Sequence, residues 1–222
     1  MKIKTVSVVI PTIWRDSIFE AIESVFNQSY PIEEIIVVSH KKFENSEKHL
    51  NVINRFKNII YLFSDSGSIS QNRNIGMRFA SSDAIAFIDD DDVWYPEKVK
   101  SQIEVMNNSN YDISFSNVDS SDSELDFWQR PKLAENQSVL EASYGFWNIY
   151  KKRVFIPFPT VLIRRDKIGD TEFDEQLEER EDLWFLHQLQ LSGLEIIQIP
   201  QETALIQKSK PYSNRAIGIE QE

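Results

Sequence analysis

Cysteine is absent from this chain, and histidine and glycine are scarce, with three and six residues among 222. The absence of cysteine excludes disulfide bonds and thiolate metal sites, and it is compatible with a reducing compartment. His40 and His49 have no partner at the spacing of a metal site, and His187 lies well inside a predicted helix. We therefore expect no metal centre built on sulfur or imidazole ligands.

Long apolar runs and an excess of positive charge are also lacking. No segment approaches the ~20 apolar residues of a membrane span, so we expect no transmembrane segment. Acidic residues outnumber basic ones by 35 to 24, and the formal net charge is -11. This charge argues against nucleic acid as the main partner and against attraction to anionic lipid.

The first six residues lead directly into a strand pattern rather than into the apolar core of a signal peptide. We therefore expect a cytoplasmic protein, and peripheral contact with the inner face of the membrane stays open. The sequence does not indicate the oligomeric state.

The first half of the chain alternates short apolar runs with segments of helical spacing. The predicted strands are residues 6–10, 35–38, 59–63, 84–88 and 111–115, and the predicted helices are residues 16–28, about 50–56, 70–80 and a helix opened by Pro96. Strands that are apolar throughout and separated by helices are typical of a mostly parallel sheet with helices on both faces. We therefore predict an α/β fold in which ligands bind beyond the carboxyl ends of the strands.

The regular alternation stops after about residue 117. Residues 118–130 are polar, which predicts a surface excursion. An aromatic-rich helix at about 138–150, a strand at 160–163, a helix at 180–192 and a strand at 195–199 follow, before a polar tail beyond residue 203. Length and composition, 41% hydrophobic and 27% charged, favour one domain over residues 1–222, with halves of about 1–117 and 118–222.

Four aspartates, Asp89 to Asp92, come directly behind the apolar strand predicted at residues 84–88. Neighbouring carboxylates repel each other by ~1 kcal/mol at 4 Å in water and by ~4 kcal/mol at a protein surface, so such a run favours a bound cation. In an extended segment Asp89 and Asp91 would face one side, and Asp90 and Asp92 the other. A sparse set of oxygen ligands suits Mg²⁺, Mn²⁺ or Ca²⁺ shared with substrate phosphates. A solvated acidic loop before a helix is the alternative.

Five segments, taken in order along nearly the whole chain, resemble the inverting glycosyltransferases of family 2, which have the GT-A fold. The segments are residues 8–12 with Arg15, residues 21–31, residues 70–76 with the Arg-Asn-x-Gly pattern, the aspartate-rich residues 87–94, and residues 173–175 followed by Glu181 and Asp182. Each match is weak alone, and their order makes the resemblance specific. It implies that about residues 1–117 bind a nucleotide sugar and about residues 118–222 bind the acceptor.

The resemblance also implies roles for individual residues. Asp91, with Asp89, would hold Mn²⁺ or Mg²⁺, and Asp89 or Asp90 would lie near the ribose. The other implied nucleotide contacts are Pro11, Thr12, Arg15, Ser39 and Arg73, and the implied sugar or acceptor contacts are Asp92 and Trp94. Arg73, near the start of its predicted helix, is expected to contact a phosphate or the base, with a surface position as the alternative.

Inversion at the sugar carbon needs one carboxylate that takes the proton of the acceptor hydroxyl. Asp182 is the predicted base, and Glu181 is the second choice. Both open a predicted helix, and simple acidity at a helix start is the alternative explanation.

One position departs from the family pattern. Family members usually carry aspartates after the second strand, where the first accepts a hydrogen bond from uracil, and here these positions are Ser39 and His40. A serine oxygen also accepts a hydrogen bond, but without charge assistance. The implied donor is therefore a UDP-sugar with the base left open, and the implied acceptor is a saccharide or other hydroxyl compound.

The resemblance therefore implies a metal-dependent, inverting glycosyltransferase of cell-surface polysaccharide or glycan synthesis. A nucleotidyltransferase is the enzymatic alternative, but residues 11–15 contain no glycine for its usual phosphate loop. A catalytically silent nucleotide- or metal-binding module is the other alternative, suggested by Ser39 and His40.

Overall fold

The computed structural model describes residues 1–40, 58–120 and 156–206. The strands are β1 (Val6–Pro11), β2 (Glu34–Ser39), β3 (Ile59–Phe63), β4 (Ala84–Phe87), β5 (Asp92–Trp94), β6 (Ile113–Ser120), β7 (Leu162–Arg164) and β8 (Ile196–Ile206). The helices are α1 (Ile18–Phe26), α2 (Ile69–Phe79), α3 (Lys98–Asn107), α4 (Arg165–Ile168) and α5 (Glu181–Leu191). The helices predicted near 50–56 and 138–150, most of the predicted excursion and the polar tail from residue 207 lie outside the described residues.

The eight strands form one sheet in the order β3-β2-β1-β4-β7-β6-β8-β5. Strands β3, β2, β1 and β4 are parallel, as predicted. The second half of the sheet is mixed, because β7 runs antiparallel to β4 and β6, and β5 runs antiparallel to β8. Strands β6 and β8 pair in parallel, and they run in the same direction as β4 because β7 is antiparallel to both β4 and β6. Six of the eight strands therefore share one direction, and the prediction of a mostly parallel sheet is confirmed, with β5 and β7 as the antiparallel exceptions.

The strand order places a binding crevice at the carboxyl ends of β1 and β4. The chain moves outward from β1 to β2 and β3 and then returns to the other side of β1 at β4. The connections after β1 and β4 therefore leave the sheet in opposite directions and open a gap between them. The residues that follow β1 and β4, including the aspartate run, lie at this gap.

Side chains alternate between the two faces of the central strands. Val8 and Ile10 of β1 belong to one buried cluster with Ile22 of α1, while Val9 belongs to the cluster on the other face with Leu189 of α5. This period of two is the pattern of a strand that is covered on both faces. Each cluster contains residues from both halves of the chain, so one continuous sheet separates two shared cores.

Helix α2 packs very closely on β1. Ser68 caps the helix by accepting a hydrogen bond from the backbone N–H of Gln71 at 3.0 Å. A Cβ atom at Gly76 would lie 2.4 Å from Cγ1 of Val9. Glycine at this position therefore sets how near the helix lies to the sheet.

The second half contains the largest departures from the predicted elements. Residues 158–160 form a short 3₁₀ turn, and the strand expected from 160 begins at Leu162. Strand β8 continues past residue 199 to Ile206, with irregular register against β6 near Pro200. A bulge tolerates a proline, which has no N–H to donate, so the pairing resumes beyond it. Strand β5, which pairs with the end of β8, was not predicted.

In the described residues, no helix is long and apolar enough to cross a membrane.

Candidate active site

A cavity of about 350 Å³ opens at the carboxyl ends of β1 and β4. It is lined by eight residues that the sequence predicted for the site: Pro11, Thr12, Arg15, Asp89, Asp90, Asp91, Asp92 and Asp182. Segments from both halves of the chain therefore meet at one cavity. Four predicted residues, Ser39, Arg73, Trp94 and Glu181, do not line it.

The four aspartates form a turn, which we call the aspartate turn (Asp89–Asp92). The backbone N–H of Asp92 donates to the carbonyl oxygen of Asp89 at 3.2 Å, and the N–H of Ile88 donates to Val9 at 3.2 Å. The segment is thus held to β1 and then reverses direction. The segment is a turn rather than the extended strand that was predicted, but burial still alternates along it, because Asp90 and Asp92 are buried while Asp89 and Asp91 are partly exposed.

Asp90 is buried, with 1% of its surface exposed, and it organises the loop that follows β1. Its Oδ2 accepts from Thr12 Oγ1 at 2.6 Å and from the N–H of Ile13 at 3.3 Å, and its Oδ1 forms an ion pair with Arg15. Thr12 Oγ1 in turn accepts from the N–H of Trp14 at 2.7 Å. Both oxygens of Asp90 thus bind protein groups, and Asp89 is the more accessible candidate for a ribose contact.

Asp91 faces the cavity with 18% of its side chain exposed and lies 3.7 Å from Nη1 of Arg15. Burial raises the pKa of Asp91, the negative charge of Asp89 adds to this, and Arg15 opposes it. The positive charge of Arg15 is therefore too small to offset the burial of ionised Asp91 and the repulsion from Asp89.

The carboxylates of the aspartate turn fit a divalent cation that takes its remaining ligands from elsewhere. Asp91 and Asp89 offer hard oxygen atoms, and their side chains are 18% and 29% exposed. Within the described ranges, no group of three or more His, Cys, Asp or Glu side chains is placed to hold a metal by itself. Magnesium and manganese sites of few carboxylates are normally completed by water and substrate phosphates.

Arg73 is inside the protein rather than at the cavity wall. Its Nη2 lies 2.9 Å from Oδ1 of Asp89, and its Nη1 lies 2.8 Å from Oε1 of Glu181. The guanidinium also packs over the rings of Phe158 and Phe173, at 4.6 and 5.5 Å from their centroids. Burial works against the charge of Arg73, but the neighbouring carboxylates outweigh it and raise its pKa. This geometry favours contacts between Arg73 and protein carboxylates over the predicted direct contact with a phosphate or base.

Asp182 stands in the first turn of α5 and reaches the cavity. Burial raises the pKa of Asp182; Arg73 opposes this, and Glu181 and Asp89 add to it. A carboxylate with a raised pKa is a stronger base, which suits proton removal from a hydroxyl group. Glu181 is buried and bound to Arg73, so the structure favours Asp182 over Glu181 for this chemistry.

Two further predicted residues lie away from the open cavity. Ser39 is buried at the end of β2, where its carbonyl oxygen accepts from the N–H of Ser64 at 3.0 Å. Trp94 is 2% exposed, donates from Nε1 to the carbonyl of Pro159 at 2.8 Å, and carries the Lys98 ammonium 4.0 Å above its ring. The ring is therefore part of the core, and its predicted role at a sugar site is corrected.

Asn74 is a structural residue of the site for which the sequence suggested no role. Its Nδ2 donates to the carbonyl of Phe173 at 2.9 Å and to Oε1 of Glu175 at 3.0 Å, and its Oδ1 accepts from the N–H of Phe173 at 2.8 Å. The only signal was its position inside the Arg-Asn-x-Gly pattern. These partners are about one hundred positions away along the chain, beyond the reach of a local pattern.

The strand order and the cavity between β1 and β4 define a GT-A fold, as the sequence predicted. The fold is similar to that of residues 1–349 of Staphylococcus aureus TarS, solved in complex with UDP, with a TM-score of 0.68, 18% identity, and coverage of 94% of this chain and 61% of that one. Residues 7–171 match the model of glycosyl transferase family 2. The chain belongs to this family of glycosyltransferases.

Two curated relatives extend this assignment. An uncharacterized glycosyltransferase of Rickettsia bellii is 27% identical over 185 residues, which cover 81% of this chain and 26% of the relative. The amylovoran biosynthesis glycosyltransferase AmsB of Erwinia amylovora is 24% identical over 217 residues, covering 92% of this chain and 70% of the relative. The chain spans 26% to 29% of the length of the three Rickettsia relatives that match it first.

Proposed function

We propose that this glycosyltransferase moves a sugar from a nucleoside diphosphate donor to a hydroxyl group of a saccharide or similar acceptor, with inversion and with Mn²⁺ or Mg²⁺. The observation that carries the proposal is the shared cavity, where the aspartate turn and Asp182 come together from opposite halves of the chain. A UDP-sugar is the first candidate donor, since the structurally similar TarS was solved with UDP. The biosynthetic role named for AmsB supports a place in polysaccharide assembly.

The donor side of the cavity would hold the diphosphate against the aspartate turn. A divalent cation bound there would stabilise the negative charge that develops on the leaving diphosphate. Asp91 and Asp89 are the residues that would hold it. Arg15 is 30% exposed and adds a positive charge at the same wall of the cavity.

The acceptor side would be served by Asp182. Its carboxylate takes the proton of the acceptor hydroxyl while the hydroxyl oxygen forms a bond to the anomeric carbon. The bond from that carbon to the phosphate oxygen breaks, and the nucleoside diphosphate leaves with the electron pair. One base and direct attack from the opposite side give inversion, and no protein nucleophile is needed.

The test is release of UDP from a panel of UDP-sugars, with water or added saccharides as acceptors, in the presence of Mn²⁺. Asp182→Asn keeps the shape of the side chain but lacks the basic carboxylate, so release should fall by ~10² to 10⁴-fold while UDP still binds. Asp170→Asn, at an exposed position away from the cavity, is the matched control and should keep the wild-type rate. Wild-type turnover in Asp182→Asn would show that the base lies elsewhere.

A further inference from the structure

The two ends of the Arg73 guanidinium bind carboxylates from opposite halves of the chain. Asp89, bound by Nη2 at 2.9 Å, belongs to the aspartate turn, and Glu181, bound by Nη1 at 2.8 Å, begins α5. These partners lie 16 and 108 positions from Arg73 in the sequence. The guanidinium is therefore a direct bridge between the donor wall and the acceptor wall.

The surroundings of Arg73 enclose the guanidinium. Only 2% of the residue is exposed, and the aromatic rings of Phe158 and Phe173 pack against it. A charge withdrawn from water in this way favours keeping both partners, because losing either one would leave part of the buried charge unsatisfied. The bridge is thus more rigid than an ion pair on the surface.

Each partner of Arg73 stands next to a group that the proposed reaction needs. Asp89 is two residues before Asp91 in the same turn, and Glu181 is adjacent to Asp182. Because a guanidinium is planar and presents its N–H groups in a fixed fork, it sets the separation of two carboxylates. Lysine has the same charge but only one nitrogen, so it cannot hold both carboxylates in this way.

We propose that Arg73 is a positioning residue for sugar transfer, whose guanidinium sets the distance between the aspartate turn and the end of α5 that carries Asp182. This inference rests on the proposed function, because it assigns the two walls to donor and acceptor. It differs from a direct contact between Arg73 and the donor, which would require the guanidinium to face the cavity. A displacement of about 1 Å between reacting groups can lower a rate by ~10²-fold.

The first test is Arg73→Lys, which keeps the charge and removes the fork. The rate constant for UDP release should fall by ~10²-fold, while the KM of the donor stays near its wild-type value. Calorimetry with UDP and Mn²⁺ should give a dissociation constant within about threefold of the wild type, because Arg73 itself does not line the cavity and Asp91 remains in place. Arg78→Lys on the same helix is the matched control, since Arg78 forms an exposed ion pair with Glu172 at 2.7 Å.

The second test is a double-mutant cycle with Glu181→Gln. If Arg73 acts through Glu181, the double variant Arg73→Lys/Glu181→Gln should be little slower than the slower single variant. Two effects that multiply would show that the residues act independently, which would overturn the proposal. Glu181→Gln alone also serves if Arg73→Lys fails to fold, because it leaves the guanidinium and Asp89 in place. Glu181→Gln should then lower the rate constant for UDP release without weakening the binding of UDP.

The remaining outcomes separate the positioning role of Arg73 from the proposed function. Arg73→Lys with a wild-type rate constant, or with UDP affinity lowered more than tenfold and an unchanged rate constant, would overturn the positioning role. A wild-type protein that releases no nucleoside diphosphate from any UDP-, TDP- or GDP-sugar would contradict the proposed function itself, and the role of Arg73 in transfer would fall with it. That result is visible before any variant is compared.

Discussion

The aspartates of the active site differ in what they are free to bind. Asp90 is occupied by Thr12, Ile13 and Arg15, and Asp89 by Arg73. Asp91 faces the cavity, with Arg15 at 3.7 Å as its nearby cation. Three of the four adjacent aspartates thus have different partners, and Asp91 is the best candidate for a ligand to an added cation.

Replacing Asp91 should separate metal-dependent binding from folding. We expect Asp91→Ala to weaken UDP binding in the presence of Mn²⁺ by more than about tenfold, roughly 1.4 kcal/mol, because the cation loses its main protein ligand. Chelation of Mn²⁺ should weaken the wild type similarly and should change Asp91→Ala little. Isothermal calorimetry measures both, and equal UDP affinity with and without Mn²⁺ in the wild type would exclude the metal assignment.

Lys98 is a buried lysine away from the cavity, in the first turn of α3. It is fully buried, donates to Oε1 of Gln102 at 2.7 Å and lies over the ring of Trp94. Burial lowers the pKa of Lys98 well below its usual value. Between that lowered pKa and the ~10.4 of an unfolded lysine, the unfolded chain binds more protons than the folded one. The free energy of unfolding should therefore rise with pH across this window.

Lys98→Met removes this dependence. As the pH rises from 7 to 10, the wild type should gain stability relative to Lys98→Met, measured by urea denaturation at each pH. Lys100→Met on the same helix is the control. Glu97 raises the pKa of Lys100, so the wild type should show no comparable gain against this variant. A constant difference between wild type and Lys98→Met would mean that Lys98 stays charged in the folded protein.

At the scale of elements, α2 is the component that joins the sheet to the second half. Gly76 lets the helix approach Val9, and Asn74 binds the backbone of Phe173 from the same helix. Arg73, one position earlier, bridges to α5. Gly76, Asn74 and Arg73 therefore connect α2 to β1, to residues 173–175 and to α5, respectively. These three connections give the Arg-Asn-x-Gly pattern a structural role on one helix.

Gly76→Ala tests the close approach of α2 and β1. The added Cβ would lie 2.4 Å from Val9 Cγ1, so helix or strand must shift. We expect a loss of ~1 to 3 kcal/mol in the free energy of unfolding, reduced by the better helix propensity of alanine. Adding Val9→Ala removes the opposing methyl groups, so the double variant should be more stable than the sum of the single effects predicts. Urea denaturation measures these free energies of unfolding. If Gly76→Ala is as stable as the wild type, the contact between α2 and β1 adjusts at little cost.

At the scale of the whole molecule, the two halves share one sheet and two cores. The parallel strands β1 to β4 meet the second half through the pairing of β4 with β7. Ile36 of the first half and Leu189 of the second half belong to the same buried cluster. With no separate core for either half in the described ranges, the structure favours a single folding unit.

This arrangement predicts one cooperative unfolding transition. Leu189→Ala should lower stability by ~2 to 5 kcal/mol. Ile36→Ala, in the first half, should lower the midpoint of the same transition by a similar amount. Circular dichroism and tryptophan fluorescence should report coincident urea curves in the wild type and in both variants. Two separate transitions, each affected by only one substitution, would identify the halves as independent domains.

Most elements of the first half, and the family, were accessible from the sequence, because both depend on local patterns. Apolar runs such as residues 35–38 mark buried strands wherever they pair, and the aspartate run is visible as four adjacent letters. The family segments likewise lie in order along the chain, and the family match over residues 7–171 covers the first four of the five. Parallel pairing of β1 to β4 follows from the helices between these strands, whereas the antiparallel pairing of β5 and β7 has no comparable local signal.

Only the tertiary structure decided which side chains face the cavity. Asp90 is drawn inward by Thr12, 78 positions away, and Arg73 by Glu181, 108 positions away. Trp94 is buried because Pro159 and Lys98 enclose its ring. A charged or aromatic residue can serve a ligand or the protein itself, and the choice depends on partners that the fold brings from distant parts of the chain.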